Sequence, residues 1–134
     1  PSMSTILVNT LTGTSTAGSI AVTGEGGSTT TNLQQGLLKY WVNFNGTGTI
    51  AARDSLNASS ITDVGTGLYK NNATNAFSAA TYGHVSFSGN YTHTTSSTSY
   101  SDTTTSWNCY LYAANSTTFT DANGVYDMAA GDLA

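Results

Sequence analysis

The chain has 134 residues, 38% of them hydrophobic and only 7% charged, with a formal net charge of −4. That is one domain, or one domain with a short appendage. Its three cations, Lys39, Arg53 and Lys70, are too few to neutralise a phosphate backbone, so nucleic-acid binding is excluded. No apolar run nears the roughly 20 residues of a membrane helix, and the single Cys109 excludes an intrachain disulfide. Nothing resembling a secretory leader is visible, and Pro1-Ser2 before Met3 reads as a tag scar. Thr, Ser, Gly and Asn make up half the chain, yet 10% of residues are aromatic. Low charge with that many aromatics argues for a folded chain. The small polar residues and the single proline point to a mainly β, loop-rich one.

In chain order, Thr5 to Asn9 is a β-prone run, and Ser19 to Thr23 alternates as a second short strand until Gly24-Glu25-Gly26-Gly27 breaks it. Residues 1–30 form an N-terminal arm with too few apolar side chains to build a core. The arm is either a loose terminus or a segment that interlocks with other subunits or a larger particle. Residues 31–134 form the β-rich domain. Leu33, Leu37, Tyr40, Trp41 and Phe44 fall at helical spacing, whereas Tyr40-Trp41-Val42-Asn43-Phe44 is β-prone. The reading is a short helix over Asn32 to Leu38 that passes into a strand over Tyr40 to Phe44. Leu33, Leu37, Tyr40 and Trp41 are its candidate contacts. Three such helices could meet on a threefold axis, or the segment is one amphipathic turn on its own subunit's core.

Further strands are expected over Thr49 to Arg53, Ser55 to Thr62 and Leu68 to Lys70, with Asp63 to Gly67 as a hairpin connection. Tyr82 to Gly89 is a strand with Val85 and Phe87 on one face. Asn90 to Thr105 is a long loop or a polar hairpin. In Ser106 to Ala113, Trp107, Cys109, Leu111 and Ala113 share one face, and Tyr110 and Tyr112 share the other. Thr117 to Thr120 and Gly124 to Leu133 close the chain. This spacing suggests an antiparallel β-sandwich or β-prism-like domain.

Chemistry-bearing patterns are sparse. The carboxylates are Glu25, Asp54, Asp63, Asp102, Asp121, Asp127 and Asp132, and several sit in turns, where Asp bonds backbone. They do not suggest the carboxylate pair of a glycosidase, so no catalytic residue is assigned. Cys109 lies on an apolar strand face and reads as a small core residue rather than a nucleophile for His84 or His93. Asp121-Ala122-Asn123-Gly124 with Asp127 only loosely resembles a calcium loop. His93 could ligate a metal only by meeting copies of itself, so no metal or cofactor is expected. Eight tyrosines among small hydrogen-bonding residues suit an adaptable binding surface or stacking on sugars. Tyr91 and Tyr100, in the polar segment together with His93, are the candidate contact residues.

Two stretches carry a resemblance. Met3-Ser-Thr-Ile-Leu-Val-Asn-Thr-Leu-Thr-Gly-Thr-Ser-Thr-Ala-Gly-Ser-Ile-Ala-Val-Thr23 resembles the N-terminus of small tail-fibre-like proteins of marine tailed bacteriophages. Residues 34–69 are similar to a module recurring in those fibres. The shared pattern is a Trp41-Val42-Asn43-Phe44 strand, a Gly46-Thr47-Gly48 turn and Arg53-Asp54-Ser55. It continues as Ser59-Ser60-Ile61-Thr62-Asp63, then Gly65-Thr66-Gly67 and Tyr69. After Tyr69 this chain has Lys70-Asn71-Asn72-Ala73-Thr74 where the family has a hydrophobic strand. The resemblance implies a virion component on the phage tail or capsid exterior. It would be an intertwined homotrimer, joined to other virion proteins by its N-terminal arm and facing a host cell-surface glycan or protein. On this reading Tyr91, His93 and Tyr100 face the receptor, with no enzymatic activity and no membrane insertion. A capsid decoration or head-fibre protein held by the arm is the alternative. A glycan depolymerase is disfavoured by the scarcity of carboxylates.

Overall fold

The computed structural model describes residues 5–89, 93–96, 102–114 and 116–134, the segment 93–96 as backbone only. The chain divides into two units, residues 1–37 and 38–134.

In the first unit, residues 5–20 carry no strand, including the β-prone run at Thr5 to Asn9. One small hairpin follows, β1 (Ala21–Thr23) against β2 (Thr30–Asn32), antiparallel. Gly24 N donates to Thr29 O at 2.8 Å across its loop. The helix expected over Asn32 to Leu38 is a single turn instead. Asn32 Oδ1 accepts from Gln34 N and Gln35 N at 2.8 and 3.3 Å, and Gly36 N donates to Asn32 O at 3.2 Å. That capped start does not propagate, because Gly36 is a poor helix former. From Leu38 the chain instead enters a strand whose partner, Ala130, sits opposite Leu38.

The second unit is mainly β, with two four-stranded antiparallel sheets around a shared core. In sheet order, the first holds β4 (Ala51–Leu56), β3 (Leu38–Asn45), β10 (Val125–Ala130) and β7 (Gly83–Ser88). The second holds β5 (Ala58–Gly65), β6 (Leu68–Ala73), β9 (Ser106–Ala113) and β8 (His93–Ser96). Neither sheet closes on itself, and the arrangement fits a sandwich loosely. β6 runs straight through the polar Lys70-Asn71-Asn72, so a strand survives there without a hydrophobic run. The expected strand at Thr117 to Thr120 is reduced to one bridge, Tyr112 to Phe119.

The core draws on both sheets. Tyr40, Val42, Phe44, Val125 and Ala129 come from the first sheet, and Tyr69, Ala73, Trp107, Cys109 and Leu111 from the second. Phe77 and Ala122 add to it from the connections. Burial alternates along β10 and, from Tyr40 and Trp107 onward, along most of β3 and β9, so their odd and even residues divide between core and outside. In β7, Val85 and Phe87 share one face as expected, and it is the outer one, where both are exposed. The strand's inward residues are His84 and Ser86.

The chain changes sheets between β4 and β5 at a single residue, Asn57, whose φ is 61°. Asn tolerates this left-handed conformation better than other side chains with a Cβ. Its amide also clasps the next connection: Oδ1 accepts from Asn75 N at 2.7 Å and Nδ2 donates to Asn75 O at 3.2 Å. Asn57→Val is expected to destabilise the second unit by about 2 kcal/mol through strain and lost bonds, and Asn57→Gly by about half as much. Urea denaturation of the three proteins checks both the sign and the order.

Candidate functional site

Polar chemistry in the second unit gathers at two places, one buried between the sheets and one on the outer surface. The buried one centres on Asp127, 1% exposed on β10. Its Oδ1 accepts the Trp107 Nε1–H at 2.9 Å, and its Oδ2 accepts the Ser86 hydroxyl. Burial pushes the carboxyl up to about 7, and the neighbouring hydrogen-bonding side chains offset this only in part. Beside it the Tyr40 hydroxyl donates to Asn71 Oδ1 at 3.2 Å, leaving the buried Asn71 Nδ2 without a partner within hydrogen-bonding distance. Burial raises the Tyr40 phenol far above its usual range. His84 Nε2 lies 3.1 Å from Asp102 Oδ2, with both side chains nearly buried. His84 Nδ1 and Asp102 Oδ1 find no partner among the described residues.

Serine, histidine and aspartate therefore meet here, but not as a relay. The Ser86 hydroxyl is committed to Asp127 rather than to the imidazole, and a nucleophile needs the base at its own oxygen. Cys109 is fully buried and its thiol is pushed up to about 12 by burial, which makes it a core residue. Asp121 and Asp127 do not converge on a cation. Asp121 Oδ1 takes Gly67 N at 2.7 Å and the Tyr69 hydroxyl at 2.9 Å, while Asp127 points into the core. Among the described residues no cluster of His, Cys, Asp and Glu could hold a metal.

The surface site lies on the outer face of the first sheet. Opposite Asn43 stands Asp54 and opposite Phe44 stands Ala52, so Arg53 is the extra residue of a β-bulge. Bulges re-aim side chains, and this one sends the guanidinium to the turn before β10. One terminal nitrogen donates to Asn43 Oδ1 at 3.1 Å and Phe44 O at 2.9 Å, the other to Asn123 O at 2.6 Å and Asn123 Oδ1 at 2.5 Å. Arg53 makes no ion pair among the described residues. With Gly89, Gly124 and Tyr126 these residues line an open cleft of about 410 Å³. The Tyr126 ring stacks on Phe87 at 5.1 Å. Further along the same face, Leu56, Trp41, Met128 and Val85 stand side by side across all four strands. Leu56 and Val85 are exposed, so the row is an apolar stripe without a cover in a single copy.

Of the residues singled out from the sequence, Leu33 is half-buried in the turn after β2 and Leu37 is exposed. Tyr40 is in the core, with its ring edge-on to Trp107 at 4.5 Å. Trp41 is half-buried on the opposite, outer face of the same strand. Tyr40 and Trp41 therefore cannot serve one common contact surface. The backbone of His93 sits in β8 opposite Ala113; Tyr91, Tyr100 and the His93 side chain lie outside the described residues. Sequence reasoning missed the Arg53 cleft. Its only signal was that Arg53 is the sole arginine of the chain. The chain matches no family model, no curated protein and no solved structure.

The raised Asp127 sets a pH dependence. Its carboxyl ionises at about pH 7 in the folded chain, whereas in the unfolded chain it ionises near its ordinary value of 3.8. The folded state thus binds more protons between these values. Asp127's contribution to stability is full below about pH 4, falls as pH rises, and levels off above about pH 7. Asp127→Asn keeps an acceptor for Trp107 and removes the titration. Thermal melts from pH 4 to 8 are expected to show native stability falling relative to this variant across that window. Asp127→Ala strands two buried donors and is expected to cost about 2–4 kcal/mol.

Proposed function

We propose that this chain is a structural, non-enzymatic, tail-fibre-like protein of a bacteriophage, carried on the virion exterior, where it works as a homotrimer that recognises a host-surface receptor. The resemblance of residues 3–23 and 34–69 to such fibres supports the reading. One structural observation carries it furthest. Ile6, Leu7, Val8 and Leu11 in the N-terminal unit are all more than half exposed, an apolar strip that a lone copy leaves in water. The outer stripe of Leu56, Trp41, Met128 and Val85 adds a second uncovered surface. Contiguous exposed apolar surface of this kind marks association, and three interlocking copies would cover both surfaces. Low charge suits such an assembly, since little like-charge repulsion opposes close approach. The whole second unit, cored by aromatics, then serves as a rigid head.

Light scattering is expected to return a mass near three chains, and the species is expected to survive mild SDS without boiling, as interlocked fibres of high kinetic stability do. A monomer would overturn the trimer and favour a decoration or head-fibre protein whose arm binds the particle. Deleting residues 3–24 is expected to abolish assembly while the second unit still melts cooperatively. Alanine at Tyr91, His93 and Tyr100 is expected to reduce adsorption to host cells; unchanged adsorption removes these residues from the contact.

A further inference from the structure

We propose that the Arg53 cleft is a binding site for an acidic saccharide, a sugar bearing a carboxylate or a sulfate. The proposal deepens the receptor-recognition reading and rests on it. Four features of the cleft point to this ligand class. The first is charge: the protein is net negative, yet the one ionised group lining this cleft is a guanidinium that no carboxylate neutralises. The second is rigidity. Four acceptors from β3 and the turn before β10 take the terminal N–H groups, so little side-chain freedom remains to be lost when a ligand arrives, and Arg53 offers the ligand its fixed charge while the neighbouring side chains offer donors.

The third is donor accounting. Asn43 and Asn123 turn their Oδ1 atoms to Arg53, and neither Nδ2 has an acceptor among the described residues. The Tyr126 hydroxyl also has no partner there. Among the described residues the unmatched groups around the cation are two amide donors and a hydroxyl, which suit a ligand rich in acceptor oxygens. The fourth is space. Gly89 and Gly124 border Tyr126, and a Cβ on Gly89 would lie 2.9 Å from the tyrosine ring. The two glycines pack on the tyrosine ring without side chains of their own, so nothing from these positions fills the cleft between Tyr126 and Arg53. A single cation in the cleft matches one carboxylate or sulfate of the bound sugar.

The test is calorimetric titration of the full chain with three oligosaccharides of equal length: trigalacturonate, a sulfated galactose trimer and neutral galactotriose. At least one acidic sugar is expected to bind about tenfold tighter than the neutral one, with affinity falling as salt is added. The side-chain amide signals of Asn43 and Asn123 are expected to shift in NMR spectra. Arg53→Gln removes the charge and is expected to weaken the acidic sugar about tenfold. That variant also loosens a surface clasp, so Gly124→Ala is the second probe. Its added methyl meets nothing nearer than 3.5 Å, so the fold is kept while the cleft is narrowed. Binding of galactotriose as tight as the acidic sugars overturns the proposal. So does acidic-sugar binding that neither variant weakens, or the absence of binding by all three sugars up to millimolar concentration. None of these results would alter the trimer mass or the effect of deleting the arm, so the two readings fail separately.

Discussion

The bond from Trp107 Nε1 to Asp127 Oδ1 is the interaction on which the second unit depends. Trp107 stands on β9 in the second sheet and Asp127 on β10 in the first, so one 2.9 Å hydrogen bond joins the sheets through the core. Around the indole lie Tyr40, Tyr82 and Phe77, with ring centroids at 4.5, 5.3 and 6.1 Å and steeply inclined planes. These rings come from β3 and from the connection between β6 and β7, so a single side chain touches most of the architecture. In a chain half composed of small polar residues, the few large rings must supply most of the buried apolar area. An indole N–H buried among them needs an acceptor, and leaving it unmatched would cost more than the bond itself yields. A carboxyl meets that need and takes the Ser86 hydroxyl as well. Desolvation explains why it stays largely neutral well above the usual carboxylate range, up to about pH 6.

A second chain of dependence runs outward from the core to the surface cleft. The Tyr69 hydroxyl lies 2.6 Å from Gly46 O and 2.9 Å from Asp121 Oδ1, and Gly67 N also donates to that carboxylate. Gly46 N donates to Ala122 O at 2.9 Å. The turn before β10 is thereby anchored to both sheets, and it presents Asn123 to Arg53. Gly67 is needed where it stands: its φ is +63°, and a Cβ would fall 2.6 Å from Thr120 N. The position of the guanidinium at the surface is therefore decided by a tyrosine and an aspartate that never reach the cleft.

The edges of the two sheets follow the same economy of charge. β4 and β5 are edge strands, and such strands invite pairing with other chains. Both are interrupted by register shifts, β4 at Arg53 and β5 near each end. Bulges at these positions twist the edges away from regular pairing, so association through the proposed trimer would use side-chain surfaces rather than open ladders. One residue, Arg53, belongs both to this edge protection and to the cleft.

The sequence by itself determined the mainly β character and the positions of most strands, because period-two alternation around Tyr40, Tyr82 and Trp107 is a local property of backbone geometry. It also determined the inward face of β9, where every second residue from Trp107 to Leu111 is apolar and fully buried. It misled where two periods overlapped. Leu33, Leu37 and Tyr40 sit at helical spacing, but the ladder between Leu38 and Ala130 outweighed one turn of helix. At β7 it paired Val85 and Phe87 on one face but left open which face turns to the core. Only the tertiary structure decided that His84 and Ser86 turn inward, because their partners Asp102 and Asp127 lie 18 and 41 residues away. The Arg53 cleft was invisible for the same reason. It is assembled from a bulge register and from a turn 70 residues further on, and no local pattern encodes a contact between segments that only folding brings together.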